Sequence, residues 1–324
     1  MISYIIRRLL YAVPILLGVN VVTFMLFFLV NTPDDMARMQ LGVKRVTPEA
    51  IASWKHERGY DKPLLYNTDA AGTDKLTQTI FYEKSLRMFV FDFGRADDGR
   101  DIAREIRLRM GPSLAVAIPA FFVGLLAYIT FALGFAFFRA TYVDFWGVVM
   151  CVAAMSISSM FYIIGGQYLI GKLWHLVPIS GFSGGVYGLR FVLLPVAVGV
   201  IGSFGASTRL YRTFFLEEIS RDYVRTARAK GLSEITVLFR HVLKNAMIPI
   251  LTGVVVAIPF LFIGGLITES FFGIPGLGSY TIDAINSQDF AVVRSMVFIG
   301  SLLYIAGLLL TDISYTLEIG RAHV

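Results

Sequence analysis

Six long apolar runs constrain this chain more than any other feature of its sequence. A helix needs about 20 consecutive apolar residues to cross the ~30 Å hydrocarbon core of a bilayer. Hydrophobic residues make up 56% of the chain and charged residues only 16%, outside the usual range of soluble domains. We therefore predict an all-α membrane protein with about six transmembrane helices. The runs lie at approximately residues 9–30, 112–138, 146–170, 191–211, 246–267 and 295–311.

The positions of the basic residues predict the orientation of the chain. Arg7 and Arg8 precede the first run, which is too long for a signal peptide and is followed by no small-residue cleavage site, so it is predicted to remain as an anchor. The short connection 209–245 is rich in Lys and Arg, and such connections stay in the cytoplasm, which places both termini there too. The predicted divisions are an anchor at residues 1–30, a periplasmic insertion at 31–111, a membrane core at 112–317 and, within it, a cytoplasmic loop at 212–245.

The insertion is predicted to contain two short helices, Ile51–Arg58 and Asp101–Met110, separated by a polar loop at Asn67–Thr79. The second helix is amphipathic. Ile102 and Ile106 lie on its apolar face, and we expect its arginines to reach lipid headgroups.

A charged helix–glycine–helix unit follows the fourth apolar run. The spacing of apolar residues predicts helices before and after Gly231, which can take the left-handed conformation that ends a helix. Ser233 and Glu234 can cap the next helix. The unit then projects a basic tip that is either a docking element or a solvated loop obeying the positive-inside bias.

Several other functions lack support in the sequence. The only cysteine is Cys151, so no intrachain disulfide can form. The four histidines show no metal-binding spacing, and the basic residues form no patch interleaved with aromatic residues, so we predict no metal, no cofactor and no nucleic-acid partner. The histidines are His56, His175, His241 and His323.

Two stretches come close to catalytic motifs without meeting their requirements. Residues 166–173 approach a P-loop, but Leu173 stands where a hydroxyl must hold Mg²⁺, and the stretch ends an apolar run. Residues 181–185 have the form G-x-S-x-G, but they lie in a glycine-rich loop rather than a strand-to-helix turn. We therefore predict that the chain is not an enzyme.

Polar residues within or beside the apolar runs are candidates for a translocation pathway, because such groups usually face a bundle interior or water. The serines can equally be small residues that pack helices together. After the fifth run, closely spaced glycines and Pro275 predict a tight turn. The pathway candidates are Asn20, Ser156, Ser159, Gln167 and Glu269.

The stretch D-Y-V-R-T-A-R-A-K-G-L at residues 222–232, followed by His241 and Asn245-Ala246, resembles the cytoplasmic loop of permease subunits in ATP-binding-cassette importers. It is most similar to the dipeptide, oligopeptide and nickel branch. Five further stretches resemble motifs of this family and follow one another in the same order as in the family. They are residues 60–64, 92–94, 177–181, 269–278 and 312–315. The resemblance implies an ATPase-coupling set of Asp222, Arg225, Thr226, Ala227, Ala229, Lys230, Gly231, Leu232, His241 and Asn245, and an outer gate containing Pro275, Gly276 and Gly278.

The same resemblance implies half of a peptide pathway in the bacterial inner membrane. The expected partners are a second homologous permease, one or two cytoplasmic P-loop ATPase subunits and a periplasmic or lipid-anchored solute-binding protein, besides membrane lipid. Nickel complexes, glutathione and peptide antibiotics are alternative cargoes. A secondary transporter is another alternative, although ionisable residues at mid-membrane are nearly absent.

The chain departs from the wider family at two places. Arg225-Thr226-Ala227 replaces Glu-Ala-Ala, as in the peptide branch. Residues 318–324 replace a D-P-R continuation, and we expect them to be an artefactual end without function.

Overall fold

A computed structural model describes residues 2–42 and 46–322, and these are helical throughout apart from connecting loops and one isolated bridge between Arg95 and Asp101. His323 and Val324, part of the atypical end expected at 318–324, lie outside the described residues. The α-helices are α1 (Ile2–Met25), α2 (Pro33–Leu41), α3 (Pro48–Arg58), α4 (Asp74–Thr77), α5 (Ile80–Lys84), α6 (Ile102–Phe137), α7 (Tyr142–Ser156), α8 (Ser159–Gly166), α9 (Leu189–Ile219), α10 (Asp222–Ala229), α11 (Glu234–Thr236), α12 (Lys244–Ala257), α13 (Leu266–Phe272), α14 (Leu277–Asn286) and α15 (Phe290–Ala322).

The apolar helices confirm the prediction of an all-α membrane protein. Within the described residues, five helical segments are long and apolar enough to cross a bilayer, and a sixth span exists if one bent pair is counted. The five are Ile6–Val30, Ile102–Phe137, Leu189–Ile219, Glu234–Phe262 and Phe290–Ser314.

The third predicted run, 146–170, is not one continuous helix. It is broken between α7 and α8, which meet at 90°. Ile157 and Ser158 have extended backbone conformations at the break. Serine hydroxyls compete for backbone hydrogen bonds, and Ser156 Oγ donates to the Val152 carbonyl at 2.9 Å. Hydropathy alone does not detect this local competition.

The short helix predicted at Asp101–Met110 is instead the beginning of α6, which continues through Pro112. Membrane helices tolerate an internal proline because neighbouring groups satisfy the freed carbonyl. Ile102 and Ile106 are buried, as the amphipathic pattern indicates. Arg109 does not extend freely toward lipid, because it pairs with Glu105 at 3.0 Å and packs over the Tyr280 ring at 4.6 Å.

The chain divides into two compact units. The first comprises residues 1–109 and 280–309, and an aromatic core that includes Phe24, Phe28 and Trp54 joins its first helix to α2, α3 and α5. Asn20 is buried in this unit and donates from Nδ2 to the Ser85 carbonyl at 3.3 Å.

The second unit comprises residues 110–279 and 310–324. Here α7 packs along α9, and a side chain at Gly205 would collide with the Cys151 carbonyl oxygen at 2.3 Å, so this glycine permits the close helix contact. Phe215, Ile219 and Ile250 belong to a buried cluster that extends from α9 to α12.

A largely buried ion pair joins the beginning of α7 to α9. Arg212 donates from Nε and Nη2 to the two carboxylate oxygens of Asp144, both at 2.7 Å, and Asp144 is 7% exposed. Removing one partner of such a pair leaves an uncompensated charge, which costs about 3–5 kcal/mol. We therefore expect Asp144→Ala to reduce the free energy of unfolding by about this amount, measured by denaturation in mixed micelles.

The double variant Asp144→Leu/Arg212→Met should recover much of this loss, because it removes both charges together. Arg209→Met, at an exposed position on the same helix, is the matched control and should change stability little. A double variant no more stable than Asp144→Ala would contradict the assignment of the loss to an unpaired charge.

Candidate coupling segment and translocation cavity

The charged helix–glycine–helix unit has the predicted conformation. Helix α10 ends at Ala229, and Gly231 has a φ of +79°, in the left-handed region. The Gly231 amide donates to the Arg228 carbonyl at 2.9 Å, and the Leu232 amide to the Ala227 carbonyl at 3.4 Å. These bonds satisfy carbonyls that a helix end otherwise leaves free. The prediction for Gly231 is confirmed.

Two side-chain contacts fix the turn that follows. The Ser233 hydroxyl accepts from the Thr236 amide at 3.3 Å, which confirms Ser233 as a helix cap. Arg228 donates to both carboxylate oxygens of Glu234, at 2.7 and 3.1 Å. This two-point contact sets the direction of α11 relative to α10. The chain therefore turns sharply at Gly231 with defined geometry.

Helix α10 has one buried face and one exposed face. Val224 is fully buried and Ala227 is 5% exposed, and both belong to the cluster of Phe215, Ile219 and Val242. Ala227, predicted from the resemblance to take part in coupling, thus packs inside this chain. The remaining predicted coupling residues of the segment are exposed, namely Asp222, Arg225, Thr226, Ala229, Lys230, Gly231 and Leu232.

His241 and Asn245, the last two predicted coupling residues, are less exposed than the others. Both are half-buried, and Asn245 Nδ2 donates to the His241 carbonyl at 3.0 Å, where a π-helical turn (Val237–Leu243) meets α12. The nearby Tyr223 hydroxyl donates to the Glu218 carboxylate. Burial and this bond raise the pKa of Tyr223 to about 12, so its hydroxyl remains a donor at neutral pH.

A cavity of about 480 Å³ lies in the second unit between α6, α9 and α12. Its wall is mostly apolar with a few hydroxyls and one carboxylate, the composition expected of a binding or passage site. The Tyr128 hydroxyl there donates to the Val200 carbonyl at 2.9 Å. The polar lining residues are Ser113, Tyr128, Ser203, Ser207, Tyr211, Thr268 and Glu269.

The pathway candidates from the sequence are dispersed, and only Glu269 is among the residues that line this cavity. Gln167 donates from Nε2 to the carbonyls of Ile179 and Phe271 at 3.1 and 3.0 Å, and so joins the loop at Ile179 to the end of α13. Ser156 lines a separate apolar cavity of about 850 Å³, and Ser159 is exposed at the beginning of α8. Asn20 belongs to the first unit, as described above.

The hydroxyl-bearing face of α9 was not predicted. Ser203, Ser207 and Tyr211 recur every four residues after Gly199, and all four residues line the cavity. Residues four apart share one helix face. The signal was therefore present in the sequence as a periodic polar stripe within an apolar run.

The carboxylate of Glu269 organises the tight turn after the fifth span. Its Oε2 accepts from the amides of Gly278 and Ser279 at 2.7 and 3.1 Å, and its Oε1 from Gly265 at 3.2 Å. Ser113 Oγ accepts from the Leu277 amide at 2.8 Å. Side chains at Gly276 or Gly278 would collide with this network or with the backbone, whereas Pro275 is exposed. The predicted gate residues thus form one compact turn around Glu269.

Comparison with known proteins agrees with this architecture. Residues 106–319 match the family described as the binding-protein-dependent transport system inner membrane component, and residues 1–70 match the N-terminal part of such membrane components. The chain is 30% identical to the di/tripeptide transport system permease protein DppB of Pseudomonas aeruginosa over 98% of this chain and 97% of that protein. It is also 30% identical to the glutathione transport system permease protein GsiC of Salmonella typhimurium, over 97% of each chain.

The family match covers well over half of the chain, the apolar helices are those of a multi-pass membrane protein, and the sequence resemblance predicted the same assignment. The chain belongs to the inner-membrane permease components of binding-protein-dependent ATP-binding-cassette importers.

Proposed function

We propose that this chain forms half of the translocation pathway for di- and oligopeptides and receives the movement of cytoplasmic ATPase subunits through α10. The observation that carries the proposal is the division of α10 into a buried face and an exposed, charged face. Buried packing at Val224 and Ala227 connects the helix to α9 and α12. A force applied to the exposed face therefore reaches the membrane helices without unfolding the segment.

The cavity beside α9 supports the proposal of a second, homologous permease. Its volume of about 480 Å³ suits a short peptide, and the lining residue Ser203 is exposed, so another helix can close the cavity. The polar stripe on α9 gives the cargo hydrogen-bonding partners within apolar walls. In this proposal the Glu269 turn, with Pro275, Gly276 and Gly278, forms part of the gate on the outer side beneath the solute-binding protein.

The cargo proposal rests on the relatives, one named for di/tripeptides and another for glutathione. The test is uptake into proteoliposomes that contain the purified transporter, with a radiolabelled dipeptide, a tripeptide, glutathione or a nickel complex outside. We expect ATP-dependent uptake of the di- and tripeptide. If only glutathione, or only the nickel complex, is taken up, the peptide proposal is wrong and that compound is the cargo.

The energy for transport is proposed to come from partner subunits. The purified chain should hydrolyse no ATP, because residues 166–173 form the end of α8 and a π-helical turn rather than a phosphate-binding loop. Affinity purification after coexpression should return a P-loop ATPase and a second membrane polypeptide. ATPase activity of the chain alone that survives Lys172→Ala would contradict this division of labour.

The proposed orientation places both termini and α10 in the cytoplasm, and it can be tested with single cysteines. Thr73 and Ser220 are exposed, whereas Cys151 is buried and can be replaced by alanine. We expect a membrane-impermeant maleimide to label Thr73→Cys in spheroplasts, and Ser220→Cys only in inside-out vesicles. The reverse pattern would invert the topology.

A further inference from the structure

Arg294, near the beginning of α15, is buried, and most of its guanidinium group has no hydrogen-bond partner in the part of the chain that the structure describes. Arg294 is 2% exposed, and its Nε and Nη1 atoms have no hydrogen-bond partner among the described residues. The only recorded close contact of its charge is with the Phe28 ring, 5.1 Å from the ring centroid, within the described part of the chain. A buried charge is normally paired, because desolvation is costly without compensation.

A second cation lines the same cavity, which measures about 440 Å³ and belongs entirely to the first unit. Lys84 is half-buried, and its ammonium group lies 5.4 Å from the centroid of the Tyr60 ring. Burial lowers the pKa of Lys84, and the positive charge of Arg294 lowers it further, although the negative charges of Glu83 and Asp92 partly oppose this shift. The positive charges of Arg294 and Lys84 therefore repel each other in this cavity.

Four carboxylates line the cavity, and each forms an ion pair with a cation other than Lys84 or Arg294. Glu83 pairs with Lys62 at 2.5 Å, and Asp97 pairs with Arg58 at 2.9 Å. The other two contacts are longer, with Asp92 3.5 Å from Arg87 and Glu57 3.8 Å from Arg58. The ion pairs recorded for the described residues therefore leave Lys84 and Arg294 without a carboxylate of their own.

We propose that this cavity binds the carboxylate group of a small molecule, with Arg294 and Lys84 as its two cationic partners. Guanidinium groups form their strongest hydrogen bonds with carboxylate oxygens, and an ammonium group adds a second charge at the same site. The volume lies within the range of small-molecule pockets. Tyr60 and Phe93 provide apolar wall for the remainder of such a ligand. All residues of the proposed site belong to this chain, and the proposal does not depend on which cargo is transported.

The test is calorimetric titration of the purified full-length chain in nanodiscs, in a low-chloride buffer. The probes are trialanine, trialanine amide and succinate. We expect trialanine to bind and its amide, which lacks the carboxylate, to bind at least ~30-fold more weakly. Succinate binding as tightly as trialanine would identify organic acids as the ligand source, and trialanine binding alone would identify peptide ends. Both results support a carboxylate site.

Variants of the two cations distinguish loss of the binding site from a general effect of substitution on the protein. Arg294→Gln and Lys84→Gln should each raise the dissociation constant of the bound probe about thirtyfold or more, whereas Arg294→Lys should lose less. Arg38→Gln, at an exposed position on α2 of the same unit, should bind like the wild type. If Arg294→Gln does not fold, Lys84→Gln provides the same test. Wild-type protein that binds neither carboxylate probe, or binds only chloride, would overturn the proposal, as would unchanged affinity in both glutamine variants.

Discussion

Replacing Gly231 with proline is expected to abolish ATP-driven uptake while leaving the chain inserted in the membrane. Proline fixes φ near −65°, whereas Gly231 has a φ of +79°. Proline also has no amide hydrogen, so the 2.9 Å bond to the Arg228 carbonyl is lost. The direction of α11 relative to α10 then changes, so under the proposed coupling role movement at the exposed face of α10 no longer reaches α12. Uptake into proteoliposomes that contain the complete transporter measures the effect.

Gly231→Asn is the matched control for this experiment. A side chain at this position meets nothing within 4 Å, and asparagine tolerates the left-handed conformation better than other residues with a Cβ. We expect Gly231→Asn to retain most of the uptake. Normal uptake by Gly231→Pro, with Ser220→Cys still labelled from the same side, would disprove the role of this turn in coupling.

Gly278→Ala is expected to reduce the free energy of unfolding by about 4 kcal/mol or more. The new Cβ would lie 2.7 Å from the Gly265 carbonyl carbon and 2.8 Å from the Leu266 amide nitrogen. These are backbone atoms, so a rotamer change cannot relieve the collision. Moving the turn also breaks the bond from the Gly278 amide to Glu269. Thermal unfolding of the purified chain in detergent measures the loss.

Gly134→Ala provides the corresponding control within α6. A Cβ at this position meets nothing within 4 Å, and alanine favours the helix over glycine by about 0.5–1 kcal/mol. We expect an unchanged or slightly higher melting temperature. Equal melting temperatures for Gly278→Ala and Gly134→Ala would show that the backbone around Glu269 can move apart without cost.

The sequence predicts the membrane architecture well because hydropathy over about 20 residues is a direct consequence of bilayer thickness. It does not predict where a run breaks or continues. At the break at Ile157–Ser158, the adjacent Ser156 hydroxyl bonds to the Val152 carbonyl, and serine bonds of this kind bend helices. Helix α6 continues through Pro112, as membrane helices allow. Hydropathy averaged over about 20 residues registers neither feature.

In the candidate site, too, the sequence predicts some features and misses others. The turn at Gly231 and the cap at Ser233 follow from local chemistry, so the sequence predicts them. The choice of Asn20 and Gln167 as pathway residues rested on polarity alone, and the structure shows each bonded to a backbone carbonyl. Ser203 and Ser207 line the cavity and would have emerged from a search for polar residues four positions apart.

The two faces of α10 tolerate substitution to different degrees. Substitutions at Val224 or Ala227 disturb the packed interior and are expected to destabilise the fold. Arg225 and Lys230 are exposed, so substitutions there are expected to leave the fold intact. Under the proposed coupling role, such substitutions change the surface that an ATPase contacts. Under the same proposal, an engineered hybrid is expected to accept a different energy-supplying subunit through changes confined to a few exposed positions of α10.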